Sequence, residues 1–288
     1  MWHWLKEKLK FLWRLGAEVV KHTFYKDNAA LLAAAIAFYS ILSFIPLVLV
    51  LISISSFAVR SSDEVALELF TLLDTAFPTA TSQAFELISG VISKRHLFGV
   101  IGVLALTWSA SRIFNVAESA MNIIWKPERL RPYWKSRLLT LGLVPLSVVL
   151  LLFSFTWTTL NSLAKGTTIP GLEVKLAETF LFTGIIPVIF PVLLSFALFF
   201  FVYRVLPSHR PTFLASLIGA AFASLVWEGF KLLFDLYIKE YADMNKIYGS
   251  LGGIIVLILW VYYSSYILIV GAEVGANFER LRIRTNRE

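Results

Sequence analysis

The chain has 288 residues, of which 58% are hydrophobic and only 16% charged, and its mean hydropathy is +0.74. That balance falls outside the range of soluble domains and leaves room for several membrane spans of about 20 residues each. The absence of cysteine excludes disulfides, thiol nucleophiles and thiolate metal sites. The net charge of +7 sits in short loops beside apolar segments, where topology and anionic lipid headgroups explain it more simply than nucleic acid.

Residues 1–28 are charged throughout and lack the apolar core and cleavage site of a secretory signal. Trp2, Leu5, Leu9, Leu12, Trp13, Gly16 and Val20 recur at helical spacing with lysines between them. This predicts a basic amphipathic helix lying on the inner membrane surface, with a packed cytoplasmic helix as the alternative. Beyond it, six transmembrane helices are expected at about 29–57, 97–124, 138–160, 179–203, 212–238 and 248–278. The first outer connection, 58–96, mixes leucines with acids on both sides of Pro78 and predicts amphipathic helices. The expected fold is therefore an all-α polytopic membrane protein. Its parts are an N-terminal segment 1–28, a membrane domain 29–278 and a basic tail 279–288. Lys126, Arg129, Arg131, Lys135 and Arg137 fill one short connection, and Arg204 and Arg210 another. With the basic termini, this bias places both ends of the chain in the cytoplasm.

The first span carries Tyr39, Ser43 and Pro46 on one face, and its run of alanines permits close helix contact. Ser40 and Ser43 have the plainer role of bonding the preceding turn. Pro46 frees a backbone carbonyl, which predicts a kink facing the interior. The second span is the most telling. Its first half, Leu97 to Trp108, is uncharged, whereas its second half carries Ser111, Arg112, Asn115, Glu118, Ser119 and Asn122. At about 100° per residue these fall in one arc. A charge facing lipid costs about 2.5–3.5 kcal/mol on insertion scales, so the stripe should face protein or a water-filled cavity.

Pro187 and Pro191 bend the fourth span. In the fifth, Glu228, Lys231 and Asp235 share a face, either as a self-paired ladder at the outer interface or as the wall of an outward cavity. In the sixth, Gly249, Gly252, Gly253, Gly271 and Gly275 read as close-packing positions, and Tyr262, Tyr266, Glu273 and Asn277 form a stripe. Glu273 is a plausible partner for Arg112, whose planar fork otherwise suits a carboxylate or phosphate. The candidate substrate-binding residues are thus Arg112, Asn115, Glu118, Glu273, Asn277, Tyr39, Glu228 and Lys231, with no catalytic, metal or cofactor site expected. The small-residue faces would allow a homo-oligomer.

Several stretches together resemble the YihY/BrkB family of bacterial inner-membrane proteins. They are AAAIAFYSILSFIPL, WSASRIFNVAESAMNIIW followed by RPYWKSRLL, YRVLP, WEGFKLLF and IYGSLGGIIVLILWVYYSSYILIVGAEVGA. They cover about 28–278, and the resemblance implies six spans with cytoplasmic termini. An older label calls the family ribonuclease BN, and the residues argue against that chemistry. His3, His22, His96 and His209 are widely separated, with His96 expected on the opposite side of the membrane, and GSLGG has no following lysine. The expected function is a non-enzymatic transporter or flippase-like protein for a small anionic or lipid-related substrate. The alternative is an envelope scaffold acting through the 58–96 helices.

Overall fold

The computed structural model describes residues 2–58, 95–143, 186–240 and 252–285, and these residues contain helices and no strand. Helix α1 spans Trp2–Lys21 and runs into one π-helical turn, His22–Lys26. Helix α2 spans Ala29–Ala58 and α3 spans Arg95–Trp125. The described part of α4 covers 133–143. Helices α5, α6 and α7 span Ile186–Val205, Phe213–Glu240 and Gly252–Thr285. The outer helices expected in 58–96, most of the third span, the start of the fourth and Gly249 lie outside the described residues.

Helix boundaries follow local chemistry. Trp125 ends α3 because Lys126 adopts a left-handed φ of 51° and Pro127 follows, a pairing that cannot continue a helix. Pro207 and Pro211 punctuate the connection between α5 and α6. Asn28, at φ 48°, separates the π-helical turn from α2; asparagine tolerates this region better than most residues. Segments Gly99–Trp125, Phe213–Ile238 and Gly252–Thr285 are long and apolar enough to cross a membrane, whereas Ala29–Phe44 and Pro191–Val205 are shorter apolar stretches. Pro46 lies inside α2 and Pro191 inside α5, and Ser40 and Ser43 donate to the carbonyls of Ile36 and Tyr39 at 2.9 and 2.8 Å. Helix α7 continues through the basic tail to Thr285, since no glycine or proline follows Gly275 to stop it.

The chain divides into two compact units, one comprising 1–28, 118–230 and 267–288, the other 29–117 and 231–266. In the first, the amino-terminal part of α6 meets the carboxy-terminal part of α7 backbone to backbone. A Cβ placed on Gly219 would stand 2.7 Å from the Gly271 carbonyl oxygen, and one on Gly275 would stand 2.7 Å from that of Ala215. A Cβ on Gly271 would strike the Tyr203 hydroxyl and the Ala223 methyl. Tyr203, fully buried on α5, donates to the Leu268 carbonyl at 2.8 Å and stacks on Phe199 at 6.1 Å. Small residues are thus what let these backbones touch, as expected where helix association gains nothing from expelling water. Helix α1 joins this unit through an edge-to-face contact of Phe11 with Phe278, 5.8 Å between ring centres, while Trp13 and Val20 stay exposed.

Replacing Gly219 with alanine forces backbone to move and should destabilise the protein by about 1–3 kcal/mol. Gly229, with nothing within 4 Å of an added Cβ, is the control: Gly229→Ala should leave stability unchanged or slightly raised. Thermal unfolding of the purified protein in detergent compares the two.

Candidate functional site

The first unit gathers polar side chains around residues 271–277 of α7, every one of which is buried. Gly271 and Gly275 occupy the face toward α6. Glu273 and Asn277 project elsewhere, and Asn277 donates its amide to the Glu273 carbonyl oxygen at 2.9 Å and to its carboxylate Oε2 at 3.0 Å. One turn later, Arg280 donates to Asn277 Oδ1 at 3.0 Å and to the carbonyl of Ile124. The second bond satisfies an orphan carbonyl in the last turn of α3.

The π-helical turn supplies the other half of the cluster. His22 Nδ1 lies 2.8 Å from Asp27 Oδ2, and Lys126 Nζ pairs with Asp27 Oδ1 at 3.1 Å. Arg280 Nη1 is 3.4 Å from His22 Nδ1, and Glu18 is 3.9 Å from its Nε2. The left-handed Lys126 takes on a role beyond the cap. Glycine is the usual residue there, but only a long cation ends α3 and also reaches the buried Asp27 carboxylate. Burial disfavours the charged forms of both His22 and Asp27. For His22 the burial effect, reinforced by Arg280 and Lys126, outweighs the Asp27 hydrogen bond and lowers its pKa below 6.5. For Asp27 the hydrogen bonds from His22 and Lys126 outweigh burial and hold the carboxyl below its usual range.

His22, Asp27 and Glu273 bring one donor atom each within 4.8 Å of one another, which is metal-like spacing. Their surroundings fit a cation poorly. Asp27 is already paired with Lys126, His22 Nδ1 is engaged by Asp27, and the Arg280 guanidinium lies 3.4 Å from that nitrogen, while Glu273 Oε1 is buried without a hydrogen-bond partner. Cations at this spot work against a further one, since Lys126 and Arg280 already supply positive charge to the cluster.

Glu118 is nearly buried and forms a second knot, accepting a hydrogen bond from Ser136 and lying 3.6 Å from the Arg131 guanidinium. Arg131 in turn donates to the carbonyls of Val205 and Pro207 at 3.2 and 3.1 Å, capping α5. Asn122, the last member of the α3 stripe, accepts from the Ser208 backbone at 2.8 Å, and Glu279 accepts from that of Thr212 at 2.9 Å. Glu228 accepts from Ser195 at 3.2 Å.

The remaining sequence candidates belong to the second unit. Arg112 is exposed and lies over the Trp108 ring, 5.6 Å from its centre. Asn115 and Tyr39 are half-buried, with Tyr39 edge-on to Phe38 at 5.2 Å. Lys231 lines a cavity of about 390 Å³ with Asp235, Phe234, Val256, Leu257 and Trp260. Within its own unit Glu273 is surrounded by Asn277, Asp27 and Arg280, and Arg112, its candidate partner from the sequence, belongs to the other unit. Sequence reasoning missed His22, Asp27, Lys126 and Arg280 as members of a site. Their only signal was an acid in a basic amino-terminal segment and an arginine one turn after Asn277.

Membrane-length apolar helices whose ends are tied by buried ionic knots define a helical integral membrane protein. Residues 20–288 match the family described as virulence factor BrkB, and the chain belongs to that family. Its relatives include three proteins named UPF0761 membrane protein. That of Pseudoalteromonas translucida is 28% identical over 258 residues, covering 87% of this chain and 81% of its own. That of Aeromonas salmonicida is 29% identical over 269 residues, covering 90% and 87%. That of Cronobacter sakazakii is 30% identical over 274 residues, covering 91% and 89%. No solved structure matches.

Removing Arg280 uncaps the Ile124 carbonyl and strips a cation from the cluster. Arg280→Ala should cost about 1–3 kcal/mol in thermal or denaturant unfolding. Acidification should weaken the fold in two stages. Folded His22 resists protonation, so stability present above about pH 6.5 falls as the unfolded histidine gains a proton below it. Folded Asp27 has a depressed pKa, so its contribution persists above about pH 4 and is lost as pH falls through the folded value. Melting temperatures followed from about pH 8 to about pH 5 should show the first stage in the wild type and a flatter profile in His22→Gln.

Proposed function

We propose that this protein is an inner-membrane transporter or flippase-like protein, its termini in the cytoplasm, that moves a small anionic or lipid-related substrate. The observation that supports this reading best is the cavity in the second unit. Lys231 and Asp235 line it together with Phe234 and Trp260, on segments apolar enough to span a membrane. Charge in such segments is expensive, and it is retained where it meets a water-filled recess or a substrate. Aromatic walls beside the charged residues suit an amphipathic molecule. Arg112, exposed over Trp108, offers a planar cation for an anionic group elsewhere in the same unit.

The test is reconstitution into liposomes, with fluorescent anionic and zwitterionic lipids and small organic anions as probes. Movement of an anionic probe is expected, and Arg112→Ala and Lys231→Ala should each slow it by about tenfold or more while the protein still inserts. Unchanged movement in Arg112→Ala, Lys231→Ala, Glu228→Ala and Glu273→Ala alike overturns the proposed residues. The absence of any protein-dependent movement overturns the function.

A further inference from the structure

The two short basic connections of the first unit enclose a cavity that the transport reading does not use. Its volume is about 370 Å³, and Arg131, Lys135, Arg204 and Arg210 line it with Leu139 and Val205. Four of its six lining residues are cations, and none is an acid. Outside this lining, Glu118 Oε1 lies 3.6 Å from Arg131 Nη1. That distance is too long for a hydrogen bond, and Arg131 Nη1 is buried without an acceptor.

Two of the cations are fixed by the fold. The Arg131 guanidinium is anchored by the carbonyls of Val205 and Pro207, and Arg204 donates to that of Pro211. Their orientation is set before any ligand arrives, which reduces the ordering cost of binding. Lys135 and Arg210 are exposed and complete the ring. Lys135 lies over the Trp134 ring at 5.2 Å. Guanidinium forks and an ammonium converging on one recess are the recognition chemistry of phosphate oxygens.

The surroundings favour a phosphate attached to lipid. Leu130, Tyr133, Trp134 and Leu138 are exposed at 69, 82, 59 and 62% around the start of α4. Large apolar and aromatic side chains beside a basic recess are the pattern of a segment seated at the headgroup level of a bilayer.

We propose that the cavity lined by Arg131, Lys135, Arg204 and Arg210 is a binding site for a phosphate ester, with the phosphate in the basic recess. The proposal stands apart from the transport reading, because a headgroup can be held there whether or not anything is moved.

The experiment measures binding to the full-length protein in neutral detergent, by native mass spectrometry and by titration. The probes are short-chain phosphatidic acid, short-chain phosphatidylcholine, glycerol phosphate and inorganic phosphate. Phosphatidic acid should bind in preference to phosphatidylcholine. The double variant Lys135→Ala/Arg210→Ala should weaken binding by about tenfold or more without changing the melting temperature of the lipid-free protein. Neither residue anchors a helix end, so this variant separates binding from folding. Lys135→Arg/Arg210→Lys, which keeps both charges, should retain most of the affinity. Equal binding of glycerol phosphate and phosphatidic acid would assign the site to a soluble phosphate ester and still support it. Equal affinity of the alanine variant and the wild type overturns the proposal, as does failure of every phosphate probe to bind.

Discussion

The contact of α6 with α7 through Gly219, Gly271 and Gly275 is the constraint on which the first unit depends. It brings two backbones closer than any side chain permits, and it does so over the same turns that carry Glu273 and Asn277. Because one face of α7 is consumed by this contact, the polar residues on its other faces must find partners in α1, the π-helical turn and the end of α3. Burial of residues 271–277 on every side is the result. In a bilayer, where expelling water from apolar surface gives no net gain between helices, such geometric fit has to be specified residue by residue.

The helix ends solve a second problem with the same groups. Each end leaves carbonyls or amides without partners, and at the edge of an apolar bundle few waters are at hand. Here side chains from distant parts of the chain take the place of solvent. Arg280 serves α3, Arg131 serves α5, and Glu279 serves the start of α6. Arg131 also pairs with Glu118 and Arg280 also reaches Asn277, so capping shares its side chains with the polar clusters.

Most of the helical framework was legible in the sequence. The stretches predicted at about 29–57, 97–124 and 212–238 correspond to α2, α3 and α6 within two residues, because apolar length, proline and loop charge set those limits locally. Glu273 and Asn277 were visible as members of one helical stripe, though not as hydrogen-bond partners of each other. The partners from outside the spans were not. His22 and Asp27 meet across a π-helical turn, which leaves no periodic signal. Arg131 and Arg280 read as topology charges, since positive residues flanking spans are expected regardless of what they touch. Glu118 was placed correctly on the polar arc, but its contacts come from Arg131 and Ser136, which sequence spacing does not put beside it.

The length of α7 has its own consequence. At about 1.5 Å per residue its 34 residues make a rod of about 51 Å, well beyond the roughly 30 Å of a hydrocarbon core. The buried cluster and the arginine that holds the end of α3 both ride on the carboxy-terminal half of that rod. Within the first unit, a rotation of this end of the rod would therefore loosen the cap of α3 and the mooring of the amino-terminal helix together.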